Sequence, residues 1–424
     1  MPHYLIVGAG VFGLSTAYYL LLDGEKDVTI LDRSVILPAP DAASTDINRI
    51  VRSSYGEPLY TKLGQEAIEL WKKDFPGIYR ESGLMVLGNA GYVAASQAND
   101  IAIGSTVTLI PNGAAIRNVI PDHIPLGSLI GSPISGYITP NGGWADAEAG
   151  MKALLQKVVD LGGRVLAGNR VNSLIIDEMT NVVGGVQVNG GEEIEADVTI
   201  LATGSWTASL LPQSRFGLSD KLTATGQSIA AIQLDEVEAG KYKDIPVTFN
   251  IDTGFYVFPP NPDRLMKVAI HGGGHLNFPA ATNADSIPRV STPRTVTDYG
   301  QAGLAIPVEM AAELKRNLVA IYPELDRPFC KTRLCWYSDT PDGDWLIDEH
   351  PTYKNLIIAT GDSGHAYKFL PNLGRLVVQR IRGTLSSEAA QKFAFDRSED
   401  TKLDGSRPMR EIKVLNPNEL APVP

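Results

Sequence analysis

Three glycines, Gly8, Gly10 and Gly13, punctuate the stretch "VGAGVFGL" that begins at Val7, and Asp32 follows the last of them by nineteen residues. The spacing is G-x-G-x-x-G, and the chemistry it offers is phosphate binding. The first glycine permits a tight turn, the second lets a pyrophosphate approach the backbone, and the third lets a helix lie close on a strand. A helix N-terminus supplies the positive end that holds the phosphates. Asp32 would accept hydrogen bonds from ribose hydroxyls, which disfavours a 2'-phosphate at that place. Other residues are chemically suggestive with less context. Cys335 lies in "RLCWYSDTPDGDWLIDEHP", where a lone cysteine reads first as a small buried hydrophobe. Arg49 and Arg52 stand three apart in "NRIVR", on one face if the segment is helical. Two unpaired arginines among apolar neighbours are costly unless anions occupy them. His271 and His275 flank three glycines with no thiolate or acidic ligand beside them, so no metal set can be read. "DSGH" at 362–365 lacks the G-x-S-x-G context of a serine hydrolase.

The elements that must position these groups follow from the local pattern. "YLIVGAGVFGLSTAYYLLLDGEKDVTILDRS" reads as an apolar strand, a glycine turn, a helix closed by Gly24, and a second strand ending at Asp32. That βαβ context makes a dinucleotide site, while the fingerprint leaves FAD and NAD both open. Two later segments favour FAD. "DVTILATGSW" (197–206) is a strand ending in Ala-Thr-Gly, and "NLIIATGDSGHAYKFLPNLGRLV" (355–377) is a strand, a glycine-rich loop and a helix. The loop 361–364 and that helix's N-terminus could stand beside a flavin ring. Between them, "GGRVLAGNRVNSLIID" and "VVGGVQVNGGEEIEADVTIL" alternate like a β-meander. Residues 216–290 carry runs suited to an antiparallel sheet, and 303–321 end in an amphipathic helix. The expected class is α/β (α+β overall). A Rossmann-like FAD domain from 1–85, 145–212 and 328–395 joins a substrate domain from 86–144 and 213–327, with a surface extension over 396–424.

Composition narrows the rest. With 44% hydrophobic and 20% charged residues in 424, the chain has material for a large core and no signature of disorder. A formal net charge of -11 without any long Lys/Arg run argues against nucleic acid. Two cysteines cannot build a disulfide framework, which fits a reducing compartment, and Cys330, without a motif, is expected in the core. The apolar N-terminal run lacks a basic leader, and "NELAPVP" is not a peroxisomal Ser-Lys-Leu. The expectation is a cytoplasmic monomer with no membrane partner.

At this point the sequence resembles a known family. The fingerprint, "DINRIVRSSYG" (46–56), "GGWADA" (142–147), "GFYVFPP" (254–260), "KVAIH" (267–271), "LCWYSDTPD" (334–342) and "GDSGHAYKFLPNLG" (361–374) resemble the D-amino-acid-oxidase superfamily. The likeness is to the branch of monomeric sarcosine oxidase, pipecolate and saccharopine oxidases, and fungal fructosyl amino acid oxidases (amadoriases). It implies that Cys335 forms a thioether to the 8α carbon of FAD, favoured by a nearby cation. It implies that Lys267, which alone would read as a solvated strand lysine, meets O2 and stabilises its developing negative charge. Arg49 would sit over the flavin, and Arg52 with Lys368 would clamp the substrate carboxylate as fork plus point charge. His271, Tyr256 and Tyr337 match pocket positions. Cofactor contacts are expected from Gly8, Gly10, Gly13, Asp32, Gly361, Gly364 and Lys368, with Arg33 and Val171 counted among them.

Within the branch, amadoriases carry an acidic pair for sugar hydroxyls where this chain has "AIHGGG" (269–274). The implied activity is therefore oxidation of a secondary amino acid to an imine, with O2 reduced to H2O2. The candidate substrates are sarcosine, other N-methyl amino acids, pipecolate, saccharopine, or an amino-acid intermediate of a biosynthetic pathway. Fructosyl amino acid oxidation is the alternative, and a dehydrogenase with a protein electron acceptor a further one.

Overall fold

Four consecutive apolar residues form β1 (Tyr4–Val7), buried along its whole length because it pairs in parallel on both sides. Its neighbours are β2 (Val28–Asp32) and the strand Val198–Leu201. Parallel neighbours require a crossover, and helix α1 (Val11–Leu22) provides it. The computed structural model describes residues 1–88, 91–210, 213–218, 220–279, 290–398, 405–408 and 410–424. The first sheet runs Leu346–Glu349, Leu356–Thr360, Val198–Leu201, β1, β2, Arg164–Ala167, parallel except for its first strand. Of the expected meander, Val171–Asp177, Val182–Val188 and Glu192–Glu195 do form a three-stranded antiparallel sheet.

The second sheet has ten strands and is centred on the eleven-residue strand Thr223–Gln233. One edge of this strand pairs antiparallel with Leu265–Ile270, and the other with Lys331–Asp339. By sequence, Lys331–Asp339 falls in the 328–395 stretch placed with the cofactor domain; by hydrogen bonding it belongs to the second sheet. The described part of 396–424 is not a free extension, since Lys413–Val414 pairs with His275–Leu276 and Leu415 is buried. Cys330 is exposed rather than core, with its thiol donating to the Ala231 carbonyl. Among the described residues, no helix is long and apolar enough to cross a membrane.

Arg49 does not sit on a helix. Residues Asn48–Val51 form β3, paired antiparallel with Gly143–Asp146, and the β-branched Ile50 and Val51 favour that extended form. The helical spacing argument for Arg49 and Arg52 therefore fails, although both side chains reach the same cavity.

A Cβ on Gly13 would lie 1.8 Å from the Gly8 carbonyl oxygen, so α1 can approach β1 only with glycine there. Gly13→Ala should destabilise the fold by about 1–3 kcal/mol through overpacking. Gly240→Ala, where the added methyl meets nothing within 4 Å inside the helix Glu236–Tyr242, should instead be neutral or stabilising. Paired thermal melts check this, and equal melting temperatures for the two variants would contradict it.

Candidate active site and cofactor cleft

A cleft of about 620 Å³ runs from the fingerprint to the second sheet, and its walls are Gly8, Gly10, Val11, Asp32, Arg33, Val171, Trp206, Arg49, Cys335, Tyr337, Asp362 and Gly364. Gly8 has φ +108, a left-handed turn that suits glycine. A Cβ on Gly10 would meet nothing nearer than the Ser44 hydroxyl at 3.8 Å, which leaves its backbone open to a ligand. Helix α1 has no side-chain cap and no acidic residue in its first turn, so its leading N–H groups remain available to an anion. The Asp32 carboxylate accepts from the N–H groups of Ala9 and Ser34, each at 2.8 Å; burial pushes its pKa up and those two donors oppose the rise. Arg33 lies 4.3 Å from the Trp206 ring centre and pairs with Asp41 at 3.3 Å. The donor set fits FAD: an anion cradle and an acid suited to a ribose lie in one cleft that extends to Cys335 and Tyr337.

Cys335 is 1% exposed, and its Sγ is 3.1 Å from Arg49 Nη2, so the expected cation is present. Gly364 has φ +75, and a side chain there would drive into the Tyr337 ring at 2.1 Å. Gly13 and Gly361 line neither this cleft nor the cavity beside it; a Cβ at Gly361 would press on Thr340 at 2.9 Å, so its task is packing. The helix Leu373–Ile381 also stands away from the cleft, with the Gly374 N–H donating to Ser15 of α1 at 2.8 Å. In "DSGH", the Ser363 hydroxyl engages Thr340 while His365 turns to Gly343 and Tyr55, so they form no nucleophile–base pair.

A smaller cavity of about 50 Å³ shares Arg49, Tyr337, Gly364 and Tyr367 with the cleft and adds Arg52, Phe249, Tyr256, His271, His365 and Lys368. Arg52 is 5% exposed; it donates to the Tyr92 hydroxyl at 2.9 Å, and its guanidinium lies 4.2 Å from the Tyr55 ring centre. Lys368 Nζ lies 5.3 Å from the same ring and donates to the His365 carbonyl at 2.8 Å. Among the described residues, neither cation has a carboxylate partner within ion-pair distance, whereas Arg49 pairs with Asp46. Burial, then Arg52 and Arg49, push the Lys368 ammonium well below its usual value. Such a pair calls for an anion to enter. His271 and His365 are held uncharged: burial lowers both far below the usual imidazole value, with Arg407 adding to the effect on His271 and Lys368 on His365. The uncharged His365 ring donates from Nε2 to Gly343 and so accepts at Nδ1 from Tyr55.

Lys267 lines neither space. It is fully buried on Leu265–Ile270 and donates at 2.6 Å to Asp46 and at 2.6 Å to the Asn48 carbonyl. Register nevertheless puts it on the cofactor side: Lys267 stands opposite Ala231 and Cys335 opposite Gln227, and positions two apart along one strand share a face. The sequence reading missed Phe249, His365, Tyr367, Asp362 and Asp46. Asp46 and His365 fell inside quoted motifs, but nothing in their spacing told which way they face.

A family model described as FAD dependent oxidoreductase (DAO) matches residues 3–380. L-saccharopine oxidase of Schizosaccharomyces pombe is 33% identical over 418 residues, covering 94% of this chain and 93% of the relative. Monomeric sarcosine oxidase of a Bacillus species (strain NS-129) is 26% identical over 407 residues, covering 93% and 96%. Among solved structures, Amadoriase I of Aspergillus fumigatus, a fructosyl amine:oxygen oxidoreductase, superposes with a TM-score of 0.83 at 26% identity. That match covers 99% of this chain and 97% of the other.

The buried ionisable groups make a pH prediction with a definite sign. His271 has a folded pKa below its unfolded value of 6.5, so the unfolded chain takes up protons first and stability is lost as pH falls below that value. Asp362 behaves oppositely: burial raises it from 3.8 to about 7, so the native state gains stability as pH falls through that window. In urea melts between about pH 5 and pH 7, His271→Gln should flatten the acid loss and Asp362→Asn should steepen it, each by up to about 1.4 kcal/mol per pH unit. Shifts in the same direction for both variants would rule the assignment out.

Proposed function

Because the chain belongs to the family of FAD-dependent oxidoreductases, we propose that it oxidises the C–N bond of a secondary amino acid, N-alkyl or cyclic, to an imine, with O2 reduced to H2O2. The observation that carries this reading is the convergence of Arg52 and Lys368 on the Tyr55 ring, with no carboxylate partner among the described residues, in a cavity that shares Arg49 and Tyr337 with the cofactor cleft. Bound FAD would be held by Gly8, Gly10, the start of α1, Asp32 and Arg33, and through a thioether at Cys335. When bound it would supply the acceptor for a hydride equivalent from the carbon beside the amine nitrogen and the route for those electrons to O2.

The protein's part is binding and electrostatics. Arg52 takes the substrate carboxylate with its planar fork and Lys368 adds a compact charge. Tyr256 and Tyr337 wall the amine. The uncharged His271 can hold the nitrogen in place without adding charge. With the buried Arg52 and Lys368 and the partly buried Arg49 around it, the amine binds in its neutral form, so no protein base is needed to remove a proton from it. Arg49, at 3.1 Å from the Cys335 Sγ, puts a positive charge beside the atom that would join the flavin. Lys267 serves the oxygen step by balancing the charge that develops on O2. We take the chain to act as a monomer.

The likeness to amadoriases favours fructosyl amino acids as a second reading. Against it, no carboxylate among the described residues lines the small cavity to accept sugar hydroxyls.

Anaerobic mixing with sarcosine, pipecolate, saccharopine and fructosyl-glycine tests the substrate class: the flavin absorbance should bleach with a secondary amino acid, and bleaching by fructosyl-glycine alone would transfer the assignment to the second reading. For the thioether, acid precipitation should leave the yellow colour with the wild-type pellet and release it from Cys335→Ser. Colour in both supernatants would remove the covalent link.

A further inference from the structure

Asp46 takes no part in the steps above, yet it is a buried carboxylate that pairs with two cations. Its side chain is 3% exposed. Oδ2 accepts from Lys267 Nζ at 2.6 Å and also from Arg49 Nη1, Oδ1 accepts from the Ile47 N–H at 2.8 Å, and the backbone carbonyl accepts from the Glu148 N–H at 3.1 Å. The carboxylate is thus fixed in place with both oxygens used, and it links two cations that come from different sheets.

Lys267 needs such a partner. Its ammonium has no exposure to solvent, and burial together with the Arg49 guanidinium pushes it well below its usual value. The charged and titratable groups facing it are Arg49 from β3 and Cys335 and Arg333 from Lys331–Asp339, with the Phe258 ring 5.1 Å away. Two of these are cations, so Asp46 is the carboxylate that opposes loss of the proton. An ammonium has three N–H donors. Two are spent on Asp46 and the Asn48 carbonyl, which leaves one.

We propose that Asp46 is a positioning residue for the oxygen half of the reaction: it holds Lys267 in place as an ammonium, with one N–H kept for the anion formed as O2 takes up an electron. This rests on the reading that Lys267 serves the oxygen step. The overall exchange, reduced cofactor plus O2 to oxidised cofactor plus H2O2, moves two electrons and two protons, and Lys267 ends with the proton it began with.

Two measurements on the holoprotein test it. In stopped-flow reoxidation by O2, Lys267→Met should be slower than wild type by about 100-fold or more. Asp46→Asn should approach that rate near pH 9 and recover toward wild type as pH falls and Lys267 regains its proton, and the double variant should be no slower than Lys267→Met alone. The second measurement needs no turnover. Without Asp46 the native lysine is neutral while the unfolded one still binds a proton, so stability rises with pH. Relative to the double variant, the urea unfolding constant of Asp46→Asn should fall about tenfold per pH unit from about pH 8 to pH 10. In wild type the fall relative to Lys267→Met should set in only at higher pH than in Asp46→Asn, because Asp46 opposes loss of the proton. A wild-type fall of about tenfold per pH unit already complete from about pH 8 would overturn the proposal, and this comparison decides the matter even if Asp46→Asn does not fold. Wild-type, pH-independent reoxidation by Asp46→Asn beside a slow Lys267→Met would also overturn it while sparing the role of Lys267. Wild-type reoxidation by Lys267→Met would instead remove that role, and the oxygen assignment of Asp46 with it.

Discussion

One antiparallel ladder, residues 223–231 against Lys331–Asp339, carries the functional geometry of this protein. It sets Arg333 opposite Ile229, Cys335 opposite Gln227 and Tyr337 opposite Thr225, so all three side chains project from one face. The same central strand places Lys267 through its other edge, opposite Ala231. Side chains alternate with a period of two, so a slip of one residue would turn the thiol and the tyrosine into the opposite layer. The apolar residues between them resist that slip: Leu334 and Trp336 belong to the core on the far side of the sheet, with Phe255, Val257 and Met266.

The first sheet contributes a different constraint. Its close approach of α1 to β1 depends on Gly13, and the cleft it leaves at Gly8 and Gly10 is a backbone surface rather than a side-chain one. Phosphate recognition of this kind tolerates little substitution, because the donors are main-chain N–H groups that any Cβ could mask. The second sheet closes the cleft with the Cys335 thiol and the Tyr337 ring, and β3 adds the charge of Arg49. The cleft is therefore walled by backbone and the Asp32 carboxylate on the first sheet and by side chains of two other sheets on the far side.

Buried positive charge unites the two spaces. Arg52, Lys368 and Lys267 are buried and Arg49 is partly buried, and the described structure gives Asp46 to two of the four and no carboxylate to the other two. The uncompensated pair faces the small cavity, where an incoming carboxylate can complete it; the compensated pair faces the strand that bears Cys335. Holding His271 and His365 uncharged in the same surroundings prevents further repulsion. This division of counter-charges separates two cations left without a carboxylate among the described residues from two fixed by Asp46.

The βαβ unit, the three glycines and Asp32 were legible because their signal is local: a strand, a turn and a helix within the first 32 residues of the chain, where spacing maps directly onto geometry. Family likeness extended this to Cys335, Arg52 and Lys368, which do line the two spaces. Spacing misled at Arg49 and Arg52, since an extended β3 joins them to one cavity with no helix involved. It was silent on Asp46, whose partner Lys267 lies 221 residues away, and on Lys331–Asp339, whose sheet is chosen by pairing with a strand about a hundred residues earlier. The sequence by itself determined the dinucleotide cradle, because backbone conformation near glycine is a local property. The tertiary structure alone decided which buried charges have partners, because a counter-ion is set by distance through the folded core and not by distance along the chain.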